Sequence, residues 1–206
     1  MNARPWVVAA SFLILSHVRQ AGAAMDPNWP CQQVLQPELS IGAMWTGPDP
    51  TAAERSWEKD QPVRELVDRI APRRVPLAEA EDEIRRFAAG LAADRTKRLT
   101  EVFAGLFDRI NEERGAIIRG IRRYHSRQAA LAKTIETKTG ELDKLDPASA
   151  DQAVQQKRDG LEMELSWDQR VFDDRQRLLP AVCEQPVVLE QRLFQLSRTV
   201  MEALGQ

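Results

Sequence analysis

Apolar residues after residue 50 recur at intervals of three and four, which is the spacing of amphipathic helices. Two short helices are predicted, over 51–60 and 62–71. Pro62 suits the first turn of the second helix, because a proline there loses no intrahelical hydrogen bond. The sequence PRRVP at 72–76 is predicted to end that helix. Its apolar face would carry Val63, Leu66, Val67 and Ile70.

A long helix follows, predicted from about Leu77 to Leu145. Its apolar face is broad over 99–110, which indicates contact with more than one neighbouring helix. Glycines within 113–120 leave a kink there as an open alternative to a continuous helix. Two prolines predict a break over 180–186, and a C-terminal helix is predicted over 187–204.

Beyond residue 117 the apolar stripe narrows to a single seam with alternating steps of three and four, as in a coiled coil. The return segment over 151–182 carries a matching seam. The sequence LDPASAD lies between the two segments and predicts a turn near 146–150. This pattern predicts an antiparallel helical hairpin over about 117–179.

Together these elements predict an all-α fold. A small helical base would contain the short helices near 51–71, the first part of the long helix from about 77, and the C-terminal helix over 187–204. The coiled-coil hairpin would project from this base, and 51–206 would form one helical domain that includes it. Hydrophobic residues make up 43% of the chain, which is enough apolar material for such a core.

The first 50 residues follow no helical period. Residues 1–24 combine a basic start, a short apolar run and small residues at the end, which is the layout of a secretory signal peptide. The run is shorter than the roughly 20 apolar residues of a membrane-spanning helix. Cleavage after Ala23 or Ala24 is therefore favoured over a retained anchor. Residues 25–50 are rich in proline and tryptophan and predict an extended segment.

The chain has two cysteines, Cys31 in the extended segment and Cys183 in the predicted break. Catalytic dithiols usually have their cysteines close in sequence, and these two lie far apart. In an exported protein they are predicted to form a structural disulfide, rather than two free thiols or an intermolecular link. This bond would pin the extended segment across the base, so burial of its apolar residues is favoured over a recognition role for its tryptophans.

Charge and motifs narrow the classes of function. The formal net charge of −2 is not that of a nucleic-acid-binding protein. The sequence has no phosphate-binding glycine loop, no nucleophile elbow and no histidine spacing for a metal, so neither a cofactor nor a metal site is predicted. A dyad of Cys183 and His125 is disfavoured, because the hairpin would separate the two residues. The protein is predicted not to be an enzyme.

Two groups of residues are candidates for binding. The first could dock a partner protein, although a solvated charged face is the simpler interpretation of its arginines. It consists of Trp29, Trp45, Arg119, Arg122, Arg123 and Arg127. The second could line a ligand pocket in the base. It consists of Met44, Trp45, Phe103, Phe107 and Phe194.

Two functional hypotheses follow. The first is a periplasmic or secreted adaptor or scaffold that contacts another exported protein through the hairpin or the Trp/Pro segment. It would bind no nucleic acid and would not stay inserted in a membrane once the signal peptide is removed. The alternative is a helical-bundle carrier for a small apolar ligand or a metal ion. An enzymatic function ranks behind both.

Overall fold

The computed structural model describes residues 26–205, and within this range the chain is helical and has no strand. The predicted all-α fold is confirmed. The predicted signal peptide lies outside the described residues. The α-helices of the described range are α1 (Ile41–Met44), α2 (Gln61–Ile70), α3 (Leu77–Ala89), α4 (Arg95–Leu142) and α5 (Gln152–Leu204).

The predicted helix over 51–60 is wrong in detail, since that segment forms two separate 3-10 turns, Ala53–Arg55 and Trp57–Lys59. Contacts with α4 hold these turns in place. The indole Nε1 of buried Trp57 donates a hydrogen bond to Asp108 Oδ2 at 2.8 Å, and the hydroxyl of Ser56 donates to Glu101 Oε1 at 2.6 Å. Tertiary contacts therefore override the helical pattern here. Helix α2 begins as predicted, with the Asp60 carboxylate accepting a hydrogen bond from the Val63 amide.

The predicted long helix from about 77 is in fact two helices, α3 and α4, joined by 90–94. Gly90 ends α3, and its amide donates to the carbonyls of Arg86 and Phe87. The break lets α3 fold back and pack against α2 and α5. Arg95 holds the joint by donating to the carbonyl oxygens of Ala88 at 3.2 Å and Ala203 at 2.7 Å.

Helix α4 runs through 113–120 without interruption, so the open alternative of a kink is resolved in favour of a continuous helix. Helix α5 likewise continues through Pro180 and Pro186, and the predicted break over 180–186 is wrong. A proline inside a helix costs about 3 kcal/mol, because a hydrogen bond is lost and the ring crowds the preceding turn. Burial of α5 residues C-terminal to the prolines offsets this, since Leu189, Leu193, Leu196 and Val200 are fully buried.

The antiparallel hairpin formed by α4 and α5 is confirmed, with the turn between Leu142 and Gln152. Polar residues within the seam pair across it. The Lys138 ammonium lies 2.7 Å from the Asp168 carboxylate and 3.0 Å from Glu164, and hydrogen bonds from the two carboxylates raise the pKa of Lys138. The Gln128 amide donates to the carbonyl oxygen of Phe172 at 3.2 Å. These contacts fix the register of the two arms.

The core lies in the base, where α2 and α5 pack against both α3 and α4. The predicted broad face of α4 is buried throughout 99–106. Arg192 of α5 is also buried, and its guanidinium donates three hydrogen bonds to backbone carbonyls at and beyond the C-terminal end of α2. Burial lowers the pKa of Arg192, yet an arginine remains protonated at neutral pH. This buried cation links α5 to the end of α2.

A close contact between α4 and its neighbours explains why residue 105 is a glycine. A Cβ added at Gly105 would lie 2.8 Å from Cε3 of Trp57 and 2.8 Å from Cγ2 of Val67. Gly105→Ala is therefore expected to lower the free energy of unfolding by about 1–3 kcal/mol, although alanine is the better helix former. Gly160→Ala in α5 should raise the free energy of unfolding by about 0.5–1 kcal/mol, because a Cβ added there meets nothing within 4 Å. Urea unfolding of both variants checks this, and a stabilised Gly105→Ala protein would contradict the contact.

Candidate functional site

A disulfide joins the N-terminal segment to α5. Cys31 and Cys183 are bonded, with an S–S distance of 1.98 Å and a Cα–Cα distance of 5.6 Å, so the predicted pairing is confirmed. Beside the bond, the Gln33 side-chain amide donates to the carbonyl of Cys183 at 2.5 Å, and Asp26 pairs with Arg122 at 2.5 Å. A structural disulfide of this kind fits an oxidising, non-cytoplasmic environment.

The rest of the N-terminal segment lies along α4 and the base. The Leu39 amide donates to Asn111 Oδ1 at 3.2 Å, and the Trp45 indole donates to the carbonyl of Pro48 at 2.7 Å. Met44 and Trp45 are buried, which agrees with the packing role predicted for the segment. The segment is not wholly extended, however, because the single turn of α1 directs both side chains toward the core.

The five predicted pocket residues lie in two places. Trp45 stacks on Phe103 with ring centroids 4.2 Å apart, and Phe107 lies 6.0 Å from Phe103. Phe103 packs between the other two rings at the core, and none of the three lines the groove described next. Met44 and Phe194 instead line a groove on the surface of the base.

This groove, called the base groove below, has a volume of about 530 Å³. One wall is the N-terminal segment between Trp29 and Gln36, and the other is α5 between Pro186 and Gln195. Apolar side chains dominate the lining, and two of them are open to water, Val34 at 73% and Phe194 at 41% exposure. The base groove is thus a partly apolar surface that no described part of the chain covers.

Arg114 and Glu190 add charge to the lining of the base groove. The Arg114 side chain is 4% exposed, and its Nη1 donates to the carbonyl of Gln36 at 2.6 Å. Glu190 Oε2 lies 3.6 Å from Nη2, which is longer than a hydrogen bond. Nε of Arg114 is buried and has no hydrogen-bond partner within residues 26–205. Burial lowers the pKa of Arg114, and the negative charge of Glu190 opposes that shift.

The predicted partner-binding residues are also divided by the structure. Trp45 is buried, and Trp29 is half-buried with its indole bonded to the carbonyl of Gln33 at 2.7 Å. Arg122 is paired with Asp26. The three other candidate arginines form a row on the face of α4 that points away from the seam. They are exposed, and none of them forms an ion pair within residues 26–205. That row consists of Arg119, Arg123 and Arg127.

A second surface of the hairpin escaped the sequence prediction. Met163, Trp167 and Leu178 of α5 are 73%, 64% and 60% exposed. At 100° per residue they fall within about 60° of one another on α5. Met163 and Trp167 lie opposite buried Leu165, and Leu178 lies toward the edge of the seam. The three residues are called the outer stripe below. The sequence analysis predicts only the seam along this arm, although Met163 and Trp167 stand one helical turn apart in the sequence.

Other features that would name a function are lacking in the described range. No group of three or more His, Cys, Asp or Glu side chains within residues 26–205 is placed to hold a metal ion. Among the same residues, no helix combines the length and the apolarity that crossing a membrane requires. Comparisons with protein-family models, with curated proteins and with solved structures find no match to this chain.

Proposed function

We propose that the protein is a non-catalytic adaptor or scaffold, exported to the periplasm or beyond the cell, that binds another exported protein through its helical hairpin. The observation that carries this proposal is the outer stripe. A large apolar side chain left in water is unremarkable when it stands alone, but several on one face mark an interaction surface. Tryptophan and methionine are also enriched in protein–protein interfaces.

The hairpin does not need these side chains for its own stability. Its two arms are held by the seam, where Leu165 is buried and Lys138 bridges to Asp168. Met163 and Trp167 lie on the face of α5 opposite Leu165, and none of the three outer-stripe residues belongs to a core cluster. Apolar surface in that position is best explained by a partner that covers it.

The shape of the outer stripe favours one kind of partner, an amphipathic helix. The outer stripe extends about 22 Å along α5, at 1.5 Å per residue, with Leu178 about three turns beyond Trp167, and this length matches the contact of one helix. Exposed Arg170 and Asp174 interrupt it, so the facing helix would carry charges of both signs. An anionic membrane surface would instead attract a patch with an excess of basic residues.

The test compares three forms of the full chain. The first is wild type, the second carries Met163→Ala and Trp167→Ala, and the third is a control with Gln169→Ala and Asp173→Ala, exposed positions on the same arm but off the stripe. A protein captured by wild type from an envelope extract is identified, purified and titrated against all three. The stripe variant should bind at least about tenfold more weakly, as expected for loss of central aromatic contacts, and the control should bind as wild type does.

Circular dichroism establishes that all three forms keep the same helical content. Equal affinity of the stripe variant and wild type for the purified partner would refute docking through the outer stripe. So would equal weakening of the stripe variant and the control, because the loss would then be unrelated to the apolar side chains.

A further inference from the structure

The base groove has the dimensions of a ligand site. Pockets for small molecules typically enclose about 300–1,000 Å³ and are lined mostly by apolar side chains with a few polar groups. The base groove falls within this range. Leu35, Met44, Ile118 and Phe194 provide apolar lining, and Val34 stands open to water at its edge. A ligand with an apolar chain would cover this surface.

Arg114 adds a requirement for negative charge. Its guanidinium is almost fully removed from water, yet within residues 26–205 its only close counter-charge is Glu190, at a distance that does not make a hydrogen bond. The two carbonyls near Nη1 are neutral, and Nε donates to nothing among the described residues. A buried cation with so little compensation is unfavourable, and a carboxylate or phosphate is the group that a guanidinium binds best.

Glu190 is placed so that it can give way to such a group. Its side chain is 41% exposed, so it can rotate away from Arg114 into solvent, where its own carboxylate stays hydrated. The other polar side chains of the lining are uncharged amides, those of Gln33, Gln36, Gln191 and Gln195. An incoming anion would therefore meet no second carboxylate in the base groove.

We propose that the base groove binds a single-chain amphiphile with an anionic headgroup, the headgroup replacing Glu190 beside Arg114 and the chain lying along Met44, Ile118 and Phe194. A fatty acid and a monoacyl lipid phosphate both have this chemistry. The site lies in the base, away from the outer stripe, and does not depend on the proposed docking of a partner protein.

The experiment is calorimetric titration of the full-length, disulfide-bonded protein with three amphiphiles of equal chain length, each below its micelle concentration. Laurate and dodecyl phosphate are the anions, and dodecyltrimethylammonium is the cation. Saturable binding of one equivalent is expected for an anion, at least tenfold tighter than for the cation. Tighter binding of laurate assigns a carboxylate ligand, and tighter binding of dodecyl phosphate assigns a lipid phosphate. Equal binding of the anions and the cation overturns the proposal, as does absence of saturable binding.

Variants locate the site. Glu190→Gln removes the competing carboxylate and should tighten anion binding severalfold. Phe194→Glu should weaken it at least tenfold. Both positions are partly exposed, and circular dichroism with urea unfolding establishes that each variant is folded before it is titrated. Trp167→Ala, on the outer stripe, should leave the dissociation constant unchanged. If Glu190→Gln and Phe194→Glu do not alter the affinity, the amphiphile binds elsewhere and the assignment to the base groove is wrong.

Discussion

Reduction of the Cys31–Cys183 disulfide is expected to lower the free energy of unfolding by up to about 5 kcal/mol. The bond joins residues 152 positions apart, so in the unfolded chain it closes a very long loop. Its removal returns that conformational freedom to the unfolded state and thereby favours unfolding. Urea unfolding with and without reductant measures the difference, and Cys31→Ser/Cys183→Ser should reproduce the midpoint of the reduced protein.

The loss of structure after reduction should begin in the N-terminal segment. Apart from the disulfide, residues 26–36 are held chiefly by the Asp26–Arg122 pair, the Gln33 hydrogen bond and the hydrogen bond from Arg114 to the carbonyl of Gln36. Met44 and Trp45 are held in the core independently of the bond. Hydrogen exchange after reduction should therefore rise over 26–36 well before it rises around Trp45. An unchanged urea midpoint after complete reduction, or uniform exchange across both regions, would contradict this account.

The elements that the sequence predicted correctly are those whose signals are local. The seams of α4 and α5 repeat over many turns, and a sustained repeat of this kind is hard to satisfy except by pairing two helices. Helix α2 has an N-cap, a first-turn proline and a compact apolar face within a few residues. The disulfide followed from having two cysteines in a chain with an apparent export signal.

The errors concern positions where distant contacts override local preference. Pro180 and Pro186 disfavour a helix locally, but the leucines that follow them are buried only if α5 continues in the same direction. Gly90 was read as part of a helix, yet it ends α3 so that Ile84 can reach the core. Intrinsic propensity is a weak prior in both cases, because it does not include the burial that decides the outcome.

The candidate sites show the same limit. The sequence supplied Met44 and Phe194 as pocket residues, but helical spacing alone could not tell that Trp45 and Phe103 stack on each other in the core. Arg114 precedes the candidate arginines of 119–127 in the same helix, and the sequence does not indicate which of these arginines is buried. The outer stripe was accessible from sequence, since Met163 and Trp167 share a helix face outside the seam.

Two ends of the molecule are thus suited to different kinds of ligand. The hairpin presents the exposed outer stripe, for which an amphipathic helix is the proposed partner. The base has a concave groove with one under-compensated cation, Arg114. Pro186 and Cys183 lie where α5 passes from one to the other, and the disulfide at this point fixes the wall of the base groove. Reduction should therefore weaken amphiphile binding more than partner binding.

Replacement of Arg192 by methionine is expected to lower the free energy of unfolding by roughly 3 kcal/mol, since hydrogen bonds to charged groups contribute about 1.5–3 kcal/mol each and do not add fully. Arg192 is 7% exposed and donates to the carbonyls of Ile70 at 2.6 Å, Ala71 at 3.1 Å and Val75 at 2.9 Å. The last carbonyls of a helix have no partner within it, and they form the negative end of its dipole. Methionine keeps most of the apolar length of the side chain but leaves these buried acceptors without a donor.

Arg198→Met on the same helix is the matched control. Its side chain is 56% exposed and, among the described residues, pairs only with Glu202 at 3.7 Å, so its loss should change the free energy of unfolding by less than about 1 kcal/mol. The free energy of unfolding of Arg192→Lys should lie between those of Arg192→Met and Arg198→Met, because lysine keeps the positive charge but its ammonium cannot reach three carbonyls at once. Urea unfolding at constant pH measures all four proteins. If Arg192→Met and Arg198→Met shift the midpoint equally, the buried guanidinium does not hold α2 to α5, and apolar packing alone joins these helices.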